Sequence, residues 1–223
     1  MTDTTVAANI TLSTSERWLA RFGIRPEEKS VTALLFCNMY LSGTAIGMIR
    51  VCALTLFLKY YGSEQLALIA ILLAMIGMPV TILIYKFTFW FSTRAHIFTI
   101  LSIVMGGLVL FRGLLGITES TILIFTLPLF FELAYMLFSL QFIFLLTRLL
   151  NVRQAKRLSG IARSGEFVAE MVGGFLIVIL LNFLEVEDLL VVAMLTTGLV
   201  FVVVNHTTSR FKSTLLMTNE EMV

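Results

Sequence analysis

Six long apolar runs, separated by short polar connectors, make up most of the 223-residue chain. Each run reaches or nears the ~20 residues that an α-helix needs to cross a ~30 Å hydrocarbon core. The runs are apolar throughout, whereas the strands of a membrane β-barrel alternate apolar and polar residues over about ten positions. The pattern therefore predicts an all-α membrane protein with six transmembrane helices. We place them at Val31–Leu58, Leu66–Tyr85, Ile97–Leu115, Ile122–Leu146, Phe167–Leu184 and Leu189–Asn205.

A polar segment lies on each side of this predicted six-helix domain, so the chain divides into residues 1–30, 31–205 and 206–223. In the first segment, Ser13 and Glu16 have the spacing of a capping box that begins a helix. Arg17 and Trp18 then fall on different faces of that helix. A basic face and an aromatic face are typical of a helix that lies in the membrane surface. We predict a short interfacial helix here, with an ordinary soluble helix as the alternative.

The composition agrees with the hydrophobic pattern. Hydrophobic residues make up 58% of the chain and charged residues 13%, and the mean hydropathy is +0.96. These values lie far outside the range of soluble globular domains. The net charge of +2 is too small to indicate a nucleic acid partner.

The distribution of Lys and Arg predicts the side of the membrane on which each connector lies. Thirteen of these residues lie on one side of the six predicted helices, and only Lys59 and Arg112 lie on the other. The acidic connector Glu185–Asp188 is on the side that is poor in Lys and Arg. Because Lys and Arg accumulate in cytoplasmic connectors, we predict that both termini face the cytoplasm. We expect Arg112 to reach the outer surface near Glu119.

Two charged residues are predicted to lie deep in the membrane at similar depth. Arg50 is roughly 12 Å from the outer end of the first helix, and Glu132 is roughly 15 Å from the outer end of the fourth, at 1.5 Å per residue. A charge near the bilayer centre costs at least ~2.5–3.5 kcal/mol, so each needs a partner or a function. We predict an Arg50–Glu132 ion pair, which either lines a substrate cavity or only joins two helices. Gln141, further along the fourth helix, is the third candidate substrate contact.

A second group of charges follows the fourth helix, in the segment Asn151–Gly174. Arg163, Glu166 and Glu170 are spaced i, i+3 and i+7, so they share one helix face. With the fifth helix beginning at Phe167, Glu170 lies only about one turn inside the membrane. We predict a cytoplasmic charge network of mainly structural role, which Gln141 joins from the fourth helix. Its charged members are Arg153, Lys156, Arg157, Arg163, Glu166 and Glu170.

Small residues mark two predicted packing faces. Gly43 and Gly47 form a GxxxG pair in the first helix, and Gly165, Ala169 and Gly173 repeat every four residues in the fifth. Small side chains let membrane helices approach closely. The two ladders predict tight helix packing.

The sequence contains no pattern that indicates an enzyme or a cofactor. His96 and His206 are isolated from Cys and carboxylates at ligand spacing, so no metal motif is present. No nucleophile–base pair or phosphate-binding loop is evident either. We therefore expect a protein that is not an enzyme and binds no cofactor.

The segment Asn151–Gly160, NVRQAKRLSG, followed by Gly165 and Gly173–Gly174, resembles a connector of bacterial ATP/ADP translocase-like proteins. Residues 25–28, RPEE, and residues 62–66, GSEQL, are similar to that family too, and the resemblance covers roughly residues 25–205. These proteins belong with the major facilitator-like transporters, and some are fused to HEAT repeats. The resemblance implies an N-terminal transporter half in a bacterial inner membrane, built as two inverted three-helix repeats.

Two functional hypotheses follow from these observations. In the first, the chain works in an assembly, as a homo-oligomer or with a second membrane subunit, because such transporters need two six-helix halves. It then moves a small anionic solute by alternating access, with Arg50 facing the substrate. In the alternative, the chain is a membrane scaffold or accessory subunit that does not transport. Its helices then bind a partner, and its basic cytoplasmic loop contacts protein or anionic lipid.

Overall fold

A computed structural model describes residues 25–88, 93–117 and 120–211. Helices form almost all of this part of the chain, and no strand occurs in it. Two 3-10 turns, Pro26–Glu28 and Val186–Asp188, precede the first and last helices. The predicted interfacial helix and most of the C-terminal tail lie outside the described residues. The helices are α1 (Lys29–Tyr61), α2 (Leu66–Thr88), α3 (Thr93–Leu115), α4 (Thr121–Leu149), α5 (Val152–Leu180) and α6 (Leu189–Arg210).

Four of these helices, α1, α3, α4 and α6, are long and apolar enough to cross a membrane. The all-helical fold is thus compatible with a membrane protein, as the sequence predicts. In α2, the apolar stretch among the described residues is Leu66–Val80, which is shorter than the ~20 residues of a membrane span. In α5, Arg163, Glu166 and Glu170 interrupt the apolar sequence. The predicted count of six spans therefore stays a prediction for these two helices.

The helix α5 begins much earlier than the sequence analysis predicts. It starts at Val152 rather than Phe167, and it includes most of the polar segment that the hydropathy pattern predicts to be a connector. The segment is rich in Arg, Lys, Gln and Ala, which are all strong helix formers. Its basic side chains are compatible with a helix because they lie at the polar end of the bundle. Asn151 begins the helix, and its backbone N–H donates to Gln154 Oε1 at 3.1 Å. The apolar run alone therefore marked only the second half of α5.

The helix α1 is the centre of the bundle and packs against α4, α5 and α6. The helix α3 closes the opposite side by packing on α4 and α6, whereas α2 contacts α4 much less extensively. The core between these helices contains fully buried apolar side chains such as Ile49, Leu101, Leu127 and Val200. In a membrane these side chains stabilise the bundle by van der Waals packing, because lipid is as apolar as the core and supplies no hydrophobic driving force.

Contacts between helix ends show that successive helices run in alternating directions. At one end, the Tyr61 hydroxyl donates to the Thr121 carbonyl oxygen at 2.7 Å, which joins the end of α1 to the start of α4. At the same end, Arg112 of α3 pairs with Asp188, which precedes α6, at 2.8 Å. We call this the Tyr61 end of the bundle, and the other, where α1 and α5 begin, the Lys29 end.

The predicted glycine ladders meet at the crossing of α1 and α5. A Cβ atom added at Gly43 would lie 3.0 Å from Ala169 Cβ and 3.2 Å from Glu166 Cα. A Cβ added at Gly165 would lie 2.5 Å from the Phe36 carbonyl oxygen. These two glycines therefore allow the two backbones to approach closely. Added Cβ atoms at Gly47 and Gly173, the other two glycines of the ladders, would meet nothing within 4 Å.

Candidate functional site

A cavity of about 430 Å³ lies where α1, α4 and α5 meet. It forms because α4 and α5 both pack on α1 but contact each other little, which leaves a gap between them. Five ionisable side chains line this gap, which we call the charged cleft: Arg50, Glu132, Arg163, Glu166 and Glu170. All five are residues that the sequence analysis singled out, as two separate groups.

The closest contact in the charged cleft is an ion pair between α1 and α5. Arg50 Nη2 lies 3.1 Å from Glu170 Oε1, and the two side chains are 42% and 40% exposed. Both residues, and Glu132, lie about ten or eleven residues from the Tyr61 end of their helices, or roughly 15–17 Å at 1.5 Å per residue. The three side chains are therefore at the same depth, near the middle of the bundle.

This pairing corrects the prediction that Arg50 pairs with Glu132, and it places Glu170 at Arg50 rather than near the cytoplasmic end. Arg50 and Glu132 do lie at similar depth, since both line the charged cleft. The depth assigned to Glu170 was wrong because α5 begins at Val152. Glu170 is about eighteen residues from that start, or roughly 27 Å at 1.5 Å per residue.

The predicted cytoplasmic charge network divides into two sites. Arg163, Glu166 and Glu170 share a face of α5, as their spacing predicts, but that face lines the charged cleft. Among the described residues, neither Glu132 nor Glu166 takes part in an ion pair. The cleft thus contains two guanidinium groups and three carboxylates, of which one pair is in contact.

The other members of the predicted network lie at the Lys29 end. Arg157 forms an ion pair with Glu28, and Arg153 lines a cavity beside that pair. Lys156 lies on a different side of α5, next to Leu146 and Ser159. The sequence analysis did not identify Glu28 as a partner of Arg157. A signal was present, because Glu28 directly precedes α1 and an acid is favoured at the start of a helix.

Gln141 lines neither charged site, so it does not join the predicted charge network, and its role as a substrate contact stays a prediction. It is fully buried, and its Oε1 accepts a hydrogen bond from Asn38 Nδ2 at 3.4 Å. It follows Glu132 by nine residues, or about two and a half helical turns, so the two side chains lie on opposite faces of α4. Gln141 therefore joins α4 to α1 in the core.

Arg112 pairs with Asp188. Its predicted neighbour, Glu119, lies outside the described residues. The acidic connector Glu185–Asp188 thus provides a partner for one of the two basic residues on its side of the bundle. This pair joins α3 to the start of α6.

The charged cleft presents hydrogen-bond donors and acceptors of both charges to the space between α4 and α5. Its guanidinium groups can donate paired hydrogen bonds to a carboxylate or phosphate. Its carboxylates can accept hydrogen bonds from a cationic group. Another anion can also replace Glu170 as the partner of Arg50. Comparison with protein-family models, curated proteins and solved structures found no match to this chain. The resemblance to ATP/ADP translocase-like proteins therefore stays a prediction from sequence.

Proposed function

We propose that this chain is half of a membrane transporter that moves a small organic solute with an anionic group by alternating access. The charged cleft is the solute site, and Arg50 is the residue that receives the anionic group. A second membrane domain, either another copy of the chain or a different subunit, covers the cleft.

The observation that carries this proposal is the exposure of ionised side chains at mid-depth in the bundle. Arg50 and Glu170 are each about two-fifths exposed, roughly 15 Å from the Tyr61 end. A charge that faces lipid at this depth costs at least ~2.5–3.5 kcal/mol, and such residues therefore face other protein or a water-filled cavity. A cavity at the interface of two halves satisfies this requirement and places polar groups near the bilayer midplane, where transporters bind their solutes.

The packing pattern supports an arrangement of two inverted repeats, α1–α3 and α4–α6. The helix α1 packs on α5 and α6, and its counterpart α4 packs on α2 and α3. The contacts of α1 with α4 and of α3 with α6 join equivalent helices of the two sets. Exchange of the two sets preserves these four kinds of contact, although the α1–α5 contact is far larger than the α4–α2 contact. The small α4–α5 contact has no counterpart of similar size between α1 and α2. In this arrangement Arg50 and Glu170 belong to different repeats.

The charges of the cleft favour a solute with one anionic group. Such a group can replace Glu170 as the partner of Arg50, since both offer oxygen acceptors to the same guanidinium. Glu132 and Glu166 repel additional negative charge nearby, which disfavours a polyphosphate. The same two carboxylates suit a cationic group, so an amphoteric solute fits best.

The Arg50–Glu170 ion pair gives the transport cycle a physical basis. The pair joins α1 to α5, and thus the first proposed repeat to the second. Solute binding breaks the pair and frees α5 to move relative to α1. Alternating access requires a conformational equilibrium that solute binding shifts, and loss of the ion pair on solute binding provides such a shift.

Transport assays in reconstituted vesicles test this proposal. Purified protein in proteoliposomes should take up radiolabelled solutes from a panel of carboxylates, amino acids and nucleotides, and Arg50→Ala should abolish the uptake. Lys59→Ala is the matched control, because Lys59 is an exposed basic residue at the end of the same helix. It should leave uptake unchanged.

The scaffold hypothesis predicts a different result from the same assay. If the wild-type protein takes up no member of the panel, and Arg50→Ala changes only thermal stability, the transporter proposal is wrong. Part of the glycine ladder is already used inside the chain, at the α1–α5 crossing. Those glycines are thus not free to bind a partner.

A further inference from the structure

A second cavity, of about 580 Å³, lies at the Lys29 end of the bundle, remote from the charged cleft. It lies between the 3-10 turn before α1 and the first turn of α5. Three arginines and one glutamate line it, together with the polar cap of α5. We call it the arginine cavity, and its charged residues are Arg25, Glu28, Arg153 and Arg157.

The single acid of the arginine cavity is fully engaged. Glu28 is buried, and its Oε1 accepts a hydrogen bond from Gln154 Nε2 at 3.0 Å. Its Oε2 accepts from the Arg25 backbone N–H at 3.2 Å and forms the ion pair with Arg157. Glu28 therefore neutralises Arg157 and holds it in place.

No acidic side chain of the described residues pairs with the guanidinium groups of Arg25 and Arg153. Both residues are exposed. Two planar guanidinium groups at one cavity suit an anion with several oxygens, since each presents paired donors. The 29-residue helix α5 begins at the cavity wall and adds the positive end of its dipole.

An apolar groove adjoins the arginine cavity. It has a volume of about 360 Å³, and its apolar lining includes Leu146, Leu150, Val152 and Ala155. Val152 also lines the arginine cavity, so the two spaces are neighbours. An anion site that continues into an apolar groove, at the end of membrane-spanning helices, matches the chemistry of a phospholipid.

We propose that the arginine cavity binds a phosphate group. We further propose that this phosphate belongs to an anionic phospholipid, whose acyl chain enters the adjoining groove. The headgroup phosphate lies between Arg25 and Arg153, and the start of an acyl chain lies along Leu146 and Leu150. This site holds the 3-10 turn and α5 against the membrane surface. It does not depend on transport.

Native mass spectrometry of the purified chain tests this proposal. The protein, released from a neutral detergent, is titrated with phosphatidylglycerol or phosphatidylcholine, and lipid retention is measured. Phosphatidylglycerol should be retained in preference, and Arg153→Ala should lower its apparent affinity about tenfold by removing charge-assisted hydrogen bonds. Arg153→Lys should give an intermediate loss, because it keeps the charge but not the planar fork.

Arg210→Ala is the matched control for charge. Arg210 is an exposed arginine at the Lys29 end, and it lines neither the arginine cavity nor the groove. Salt screens distant exposed charges, so this variant should change the affinity by less than about twofold. Equal losses in Arg153→Ala and Arg210→Ala would show general attraction to a basic surface and overturn the proposal.

A soluble-phosphate arm separates the two sources of the ligand. Inorganic phosphate and glycerol 3-phosphate are titrated against the wild type and against Arg153→Ala. Weak binding of both, with strong retention of phosphatidylglycerol, supports the lipid assignment. Tight binding of either that Arg153→Ala abolishes, with no preference for phosphatidylglycerol over phosphatidylcholine, would overturn it in favour of a soluble phosphate ligand.

Discussion

Arg50 and Glu170 keep about two-fifths of their side-chain surface exposed at a depth where lipid would penalise both charges. The sequence alone placed Arg50 and Glu132 at matching depth, because both lie within uninterrupted apolar runs whose ends are clear. It misplaced Glu170, because charge interrupts the run that contains it, so the start of α5 could not be read from hydropathy. The partner of Arg50 therefore required the packing of α5 on α1.

A double-mutant cycle tests which acid is the partner of Arg50. Residues in contact couple by about 0.5–3 kcal/mol, so Arg50→Ala and Glu170→Ala should be non-additive in thermal unfolding in detergent. Arg50→Ala and Glu132→Ala should be closer to additive, because Glu132 lines the same cleft without an ion pair to Arg50. The reverse ranking would restore the Arg50–Glu132 pair that the sequence predicts.

Glu28 is the other residue whose role required the structure. Glu28→Ala leaves the Arg157 guanidinium and the Gln154 amide without their acceptor, so it should lower the free energy of unfolding by about 1–3 kcal/mol. Glu27 is the neighbouring exposed acid, and Glu27→Ala should change stability far less. Thermal unfolding of both variants in one detergent makes the comparison, and similar losses would contradict the contact.

At the level of elements, the apolar runs predict the ends of α1, α2, α3, α4 and α6 to within a few residues, since uninterrupted hydrophobic sequence in a membrane has few other folds available. The small-residue spacing also predicts a close crossing, and Gly43, Gly165 and Ala169 lie at it. It does not identify the partner helix. The same spacing can serve contacts within a chain or between chains.

Alanine substitutions along α5 test this crossing. Gly165→Ala places a Cβ against the α1 backbone, so it should destabilise the protein by about 1–3 kcal/mol through overpacking. Gly173→Ala in the same helix meets nothing within 4 Å, and the higher helix propensity of Ala should make it neutral or stabilising, by up to about 1 kcal/mol. Equal stability of the two variants would contradict the close approach of α1 and α5.

At the level of the whole molecule, the face of the bundle formed by α4 and α5 carries both charged and exposed apolar side chains among the described residues. The cleft between α4 and α5 opens there, and α5 presents exposed apolar side chains beside it, including Phe167, Met171 and Phe175. Apolar side chains can face lipid, but the charges between α4 and α5 cannot do so at low cost. A partner domain over the cleft is the arrangement that accommodates both.

The mass of the purified complex tests this inference about assembly. In a mild detergent, the protein mass after subtraction of bound detergent should exceed the 25.0 kDa of one chain by at least a second membrane domain. Arg50→Ala should not change that mass, because it removes a solute contact and leaves the surrounding apolar surface intact. A monodisperse complex of one chain would contradict the proposed second half.

The proposed solute site requires a water-filled charged cleft, and cysteine labelling measures this most directly. Cys37 and Cys52 are first replaced by Ser, and Tyr135→Cys, in the cleft, is compared with Ile103→Cys, an exposed apolar position on α3. In intact membranes, a water-soluble maleimide should label Tyr135→Cys and leave Ile103→Cys unmodified. Protection of both positions would contradict a water-filled cleft, and with it the proposed transport function.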